Sequence, residues 1–184
     1  MKSKMKTLCR RAVLPVLFML LLTAPADAAN EAAPAFGRQD RADWINTEPL
    51  DWSRLHGKVV LLNVWTFGCS NCRGSLAWLK ALYATYHEQG FEIVGIHSPE
   101  FAWEKPRPAV ASAVREHGIE WPVMLDNDLK YWDALDNRYW PAFYLVDAKG
   151  RIAGRFVGET HAGDLQAGVV ESLLAKLLSQ RTDD

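Results

Sequence analysis

Two cysteines three positions apart, in Cys69-Ser70-Asn71-Cys72, are the side chains of this chain best suited to chemistry. A disulfide across so short a loop removes little entropy from the unfolded chain, so as a structural staple the pair would be weak. Its value is chemical. The pair follows a continuous apolar run and precedes a helical pattern, which puts the first sulfur at a helix start. There, unpaired backbone N–H groups and the positive end of the helix dipole favour thiolate over thiol. Arg73 adds a positive charge. Cys69 can then attack a disulfide, and Cys72, one turn on, can resolve the mixed disulfide that forms. Half a zinc site is the competing reading, but there is no second C-x-x-C. The five histidines, at 56, 87, 97, 117 and 161, also lack ligand spacing. Two thiolates alone could hold Cu(I), so a metal-carrying role stays open.

The elements that must position the pair are legible from apolar spacing. Val59 to Trp65 is an apolar run broken only by Asn63 and bounded by Gly57 and Gly68, the pattern of a strand buried on both faces. Leu76, Leu79, Tyr83 and Tyr86 are spaced for one helix face, ended by Gly90. Phe91 to Ile96 predicts a second strand; Val110, Val114 and His117 a helix stopped by Gly118; and Pro122 to Leu125 a short third strand. Asp126 or Asp128 can cap a small helix carrying Leu129, Trp132 and Leu135. Ala142 to Val146 and Arg151 to Val157 are joined by the turn Asp147-Ala148-Lys149-Gly150 and form a hairpin. Leu165, Val169, Leu173 and Leu177, backed by Val170, Leu174 and Leu178, predict a final amphipathic helix. Trp44 to Leu55 holds a short extra strand and a turn at Pro49, while Ala-rich residues 29–43 read as a flexible lead-in. The result is an α/β domain over residues 44–184: a mixed sheet with helices on both faces and a short N-terminal strand extension.

Residues 1–28 read as an export signal. A basic start (Lys2, Lys4, Lys6, Arg10, Arg11) precedes the apolar run Ala12 to Thr23, and Ala26-Asp27-Ala28 is a small-x-small cleavage pattern, with cleavage after Ala28. An uncleaved anchor is the alternative. Cys9 precedes the apolar run and would leave with the signal. Those 28 residues hold five of the 21 basic and one of the 22 acidic side chains, so the remainder carries a net charge of −5. A mildly acidic chain of this length has no nucleic-acid footprint.

Three separated stretches resemble the thioredoxin superfamily, in its exported TlpA/ResA-like branch. They are Val59-Val60-Leu61-Leu62-Asn63-Val64-Trp65, the Cys69/Cys72 pair, and Arg138-Tyr139-Trp140-Pro141-Ala142-Phe143. Val94-Gly95-Ile96-His97-Ser98-Pro99-Glu100-Phe101 and Leu125-Asp126-Asn127-Asp128 make it most similar to the C-terminal thioredoxin-like part of DipZ-type proteins. The resemblance covers roughly residues 44–180. It implies a thioredoxin fold and a dithiol/disulfide cycle run without cofactor or metal. It further implies a cis-proline at Pro141 opposite the cysteines, and Trp140 and Trp65 beside the sulfurs as substrate-binding groups. The cell biology it implies is a monomeric periplasmic reductase of protein disulfides, recharged by a membrane electron conduit of the DsbD/CcdA type.

Proton handling departs from those relatives. Asn63 stands where thioredoxins carry a buried Asp, Ser75 where many TlpA/ResA-like proteins carry Glu, and Ala77 where a helix-kinking proline is usual. Glu100 matches a family acidic position and becomes the candidate for moving the proton of the resolving thiol, with His97 as a second candidate. Ser70-Asn71 between the cysteines leaves the potential open, so oxidant and isomerase roles stay open too. Thr66-Phe67-Gly68-Cys69 supplies the T-x-x-C half of the peroxiredoxin pattern, with Leu62 at the place of its proline, which keeps peroxide reduction as an alternative.

Overall fold

The structure, a computed structural model, describes residues 31–181. The export signal expected over residues 1–28 lies outside the described residues. Among the described residues, no helix is long and apolar enough to cross a membrane.

Six strands form one sheet in the order β1-β4-β3-β2-β5-β6: β1 (Trp44–Ile45), β2 (Val59–Trp65), β3 (Phe91–His97), β4 (Val123–Leu125), β5 (Ala142–Val146) and β6 (Ile152–Val157). β2, β3 and β4 run parallel, whereas β1, β5 and β6 pair antiparallel with their neighbours. This is the α/β thioredoxin fold with its short N-terminal strand added at the β4 edge. Every residue of β2 is buried, because both faces of the sheet are covered. Val59, Leu61 and Trp65 enter one core with α2 (Leu76–Tyr86), α3 (Arg107–Glu116) and α5 (Leu165–Gln180). Val60, Leu62 and Val64 enter the other, with α4 (Lys130–Ala134) and the chain before β2. The period-two side-chain alternation of one strand thus builds both cores.

Asp126 caps α4: its buried carboxylate accepts the N–H groups of Tyr131 and Trp132 at 3.0 and 2.9 Å. Burial still holds this carboxyl above its ordinary range.

Two expectations need correction, the flexible lead-in and the buried face of the last helix. The described part of the lead-in is packed. Ala33 and Phe36 are buried, Glu31 and Ala33 bond the backbone of Ile152 and Gly150, and Phe36 stacks between Trp52 and Tyr131. The helix after the cysteines is broken at Ser75 into α1 (Ser70–Gly74) and α2, even though Ala77 replaces the usual proline. Ser75 Oγ donates to Asn71 O and accepts the Thr160 N–H, tying the break to the loop after β6. In α5 the buried stripe is Ala167, Val170, Leu174 and Leu177, leaving Leu165 87% exposed and Val169 half-exposed.

Candidate active site

β2 ends at Trp65, and the loop Thr66–Gly68 carries the chain to Cys69, which caps α1 with extended backbone. Cys69 and Cys72 are disulfide-bonded, their Cα atoms 5.3 Å apart. Cys69 Sγ accepts the Cys72 N–H at 3.2 Å, the helix-start bond that the sequence pattern predicts. The two sulfurs have different access. Cys69 is half-buried at the surface, whereas Cys72 is 2% exposed within the α2–α3–α5 core. Arg73 is not free to approach the sulfur at will, since its guanidinium donates to Phe67 O at 2.8 Å.

The Trp140–Pro141 peptide is cis. Ala142 pairs with Val64, so Pro141 arrives at the end of β2 from which the Cys69 loop departs. Trp140 is half-buried; its indole donates to Ser98 O at 2.9 Å and packs 4.2 Å from the Trp132 ring. Trp65 is a core residue instead. At 1% exposure it cannot touch a substrate, and its ring meets His97 edge-on at 5.4 Å. Asn63 is buried on the same strand face as Leu61 and Trp65, opposite Gly95 and Phe143, and brings no titratable group there.

The acidic group beneath the loop is Glu104, not Glu100. Glu100 is exposed and contributes its backbone N–H. Glu104 is fully buried at the end of a 3-10 turn, Ala102–Glu104, and its carboxylate accepts three backbone N–H groups: Gly68 at 2.9 Å, Glu100 at 2.7 Å and Phe101 at 2.8 Å. Burial pushes its carboxyl up, but the Thr66 hydroxyl and these N–H groups outweigh that and hold it below the ordinary range. Thr66 Oγ1 also lies 3.3 Å from His97 Nε2, so Thr66 links the loop before Cys69 to the buried imidazole. Burial pushes His97 down to about 4, with the Glu104 charge pulling the other way. The carboxylate therefore fixes the residue preceding the reactive cysteine. Glu104→Gln should lower the unfolding free energy by about 2 kcal/mol, because an amide N–H then faces a backbone donor. Urea unfolding measures this, and unchanged stability would show that the clamp contributes nothing.

The family model described as Redoxin matches residues 28–174. The chain belongs to the Redoxin family. It is a TlpA/ResA-like member of the thioredoxin superfamily. It is 39% identical to Protein DipZ of Mycobacterium tuberculosis over 139 residues, which cover 74% of this chain and 19% of DipZ. The chain thus spans about a fifth of that relative's length. It is 29% identical to the thiol-disulfide oxidoreductase ResA of Bacillus subtilis over 161 residues, covering 83% of this chain and 85% of ResA. A thiol-disulfide isomerase structure from Corynebacterium glutamicum matches with a TM-score of 0.65 and 27% identity, over 80% of this chain and 97% of that one.

In this Redoxin chain the convergence of the Gly68, Glu100 and Phe101 N–H groups on Glu104 is the feature that sequence reasoning missed. One signal was available: a carboxylate three residues after Phe101, spaced to bond back to the start of its own turn. Among the described residues, no group of three or more His, Cys, Asp or Glu side chains is arranged to hold a metal ion.

Proposed function

We propose that this protein acts as an exported reductase of protein disulfides. The observation that carries the reading is the asymmetry of the pair: Cys69 reachable at the head of α1, Cys72 buried one turn behind it. In the reduced protein the Cys69 thiolate attacks one sulfur of a substrate disulfide, forming a mixed disulfide and expelling the other sulfur as a thiolate that takes a proton. Cys72 then loses its proton and attacks Cys69 Sγ, and the substrate leaves as its second thiol. The substrate gains two electrons and the Cys69/Cys72 pair loses two. A dithiol of a membrane electron conduit of the DsbD/CcdA type, run through the same exchange in reverse, restores the reduced pair. The reductive direction and the periplasmic setting rest on the N-terminal export pattern and on the resemblance to the exported TlpA/ResA-like branch.

Stoichiometry tests the reading. Reduced protein mixed with an excess of a disulfide-bonded protein should release two substrate thiols per molecule and recover its own disulfide. A folded, reduced protein that leaves the substrate oxidised would contradict it.

A further inference from the structure

The turn that brings Glu104 inward presents two aromatic rings outward. Phe101 and Trp103 are 49% and 57% exposed, yet each is held against another ring. Their ring planes lie 7° apart with centroids at 6.0 Å, and Trp103 meets Phe67 edge-on at 5.2 Å. Trp103 also covers Gly68, where a Cβ would stand 2.7 Å from the indole Cη2 and 2.3 Å from Glu104 Oε1. The residue before the reactive cysteine is thus a glycine whose side-chain space is taken by the indole and the carboxylate. Single exposed apolar side chains are ordinary, but two adjoining exposed rings form a patch.

Its position says what covers it. Any protein substrate must bring its disulfide to Cys69, so a ring packed on the preceding residue lies inside that contact. Resting on the oxidoreductase reading above, we propose that Phe101 and Trp103 form a recognition platform for an apolar or aromatic side chain flanking the target cysteine of a protein substrate. Because Trp103 packs on the residue that precedes Cys69, the recognised side chain is a near neighbour of that cysteine in the substrate chain. The three backbone bonds to Glu104 fix the platform before the substrate arrives, so little ordering is lost on binding.

The test uses paired peptide disulfides differing only in Phe or Ser beside the cysteine, with dithiothreitol as electron donor. The wild-type protein should favour the Phe peptide about tenfold in kcat/KM, mostly through KM, equivalent to about 1.4 kcal/mol. Phe101→Ala and Trp103→Ala should each cut that preference to about twofold. Because Trp103 also packs on the Cys69 loop, its variant can slow every substrate alike; Phe101→Ala then decides, since its ring stacks on Trp103 alone. A wild-type protein without preference, or a preference intact in Phe101→Ala, overturns the platform. So does a dimer in sedimentation that Trp103→Ala dissociates, which would assign the patch to a second copy of the chain. Failure of the wild-type protein to reduce even 2-hydroxyethyl disulfide would instead sink the oxidoreductase reading.

Discussion

Cys72→Ser protein, incubated with its disulfide-bonded substrates, should accumulate covalent adducts that dithiothreitol releases, and Cys69→Ser protein should accumulate almost none. The reason is access. A substrate sulfur approaches along the S–S axis of the bond being broken, which requires an attacking sulfur at the surface, and Cys69 has that exposure whereas Cys72 is enclosed by the core. Removing Cys72 leaves the first step intact and deletes the second, so the mixed disulfide persists. Removing Cys69 deletes the first step and leaves a thiol that substrates cannot reach. The difference in trapping rate should be on the order of a hundredfold or more. Non-reducing gels followed by mass analysis read it and name the trapped partners. Equal trapping by the two variants would reverse or erase the assignment of nucleophile and resolving thiol.

Acid should destabilise the protein from about pH 6.5 downward, through His97. Its folded value of about 4 lies below the ordinary 6.5, so between these values the unfolded chain binds the proton that the folded chain refuses. Stability therefore rises with pH across this window and falls as pH drops from about 6.5 to 4, by about 3 kcal/mol. The imidazole is held between the edge of Trp65 and the face of Phe67 with no water contact, which is why charging it is costly. Glu104, with its value lowered, adds a loss at still lower pH. Glu92 and Asp126 have raised values and act in the opposite sense, but they are the same in any His97 variant. Urea unfolding at pH 7, 5.5 and 4 should give a steep decline for the wild-type protein and a flatter one for His97→Gln. Parallel declines would remove His97 from the account.

Much of this molecule is legible in its sequence where one physical demand dominates. β2 and β3 announce themselves because burial on both faces selects a mostly apolar run, and the hairpin because Asp147 to Gly150 has the turn chemistry. The cysteine pair is legible because its chemistry needs two thiols at that spacing. What escaped depends on contacts between distant segments. The lead-in has no periodicity, since it is held by backbone pairing to the β5–β6 turn and by one ring, Phe36, and neither leaves a repeating pattern. Apolar spacing in α5 points equally to Leu165 and Val169 as to Ala167 and Val170, and only the sheet beneath decides which stripe is covered. Glu100 and Glu104 are both acidic residues after β3. The inward one is selected by where the N–H groups of Gly68, Glu100 and Phe101 converge, and this requires the loop before Cys69 to be in place. Trp65 and Trp140 resemble each other as large rings near the cysteines, but strand alternation sends Trp65 into the core and leaves Trp140 at the rim.

The redox equilibrium of the Cys69/Cys72 couple tests the reductase role most directly, measured by equilibrating the wild-type protein against defined ratios of reduced and oxidised dithiothreitol and counting free thiols. Superfamily potentials run from about −270 mV for thioredoxin to about −120 mV for its strong oxidants. A protein-disulfide reductase predicts a single two-electron transition near the lower end of that range. A midpoint near the upper end, or thiols that titrate independently rather than as a pair, would contradict it.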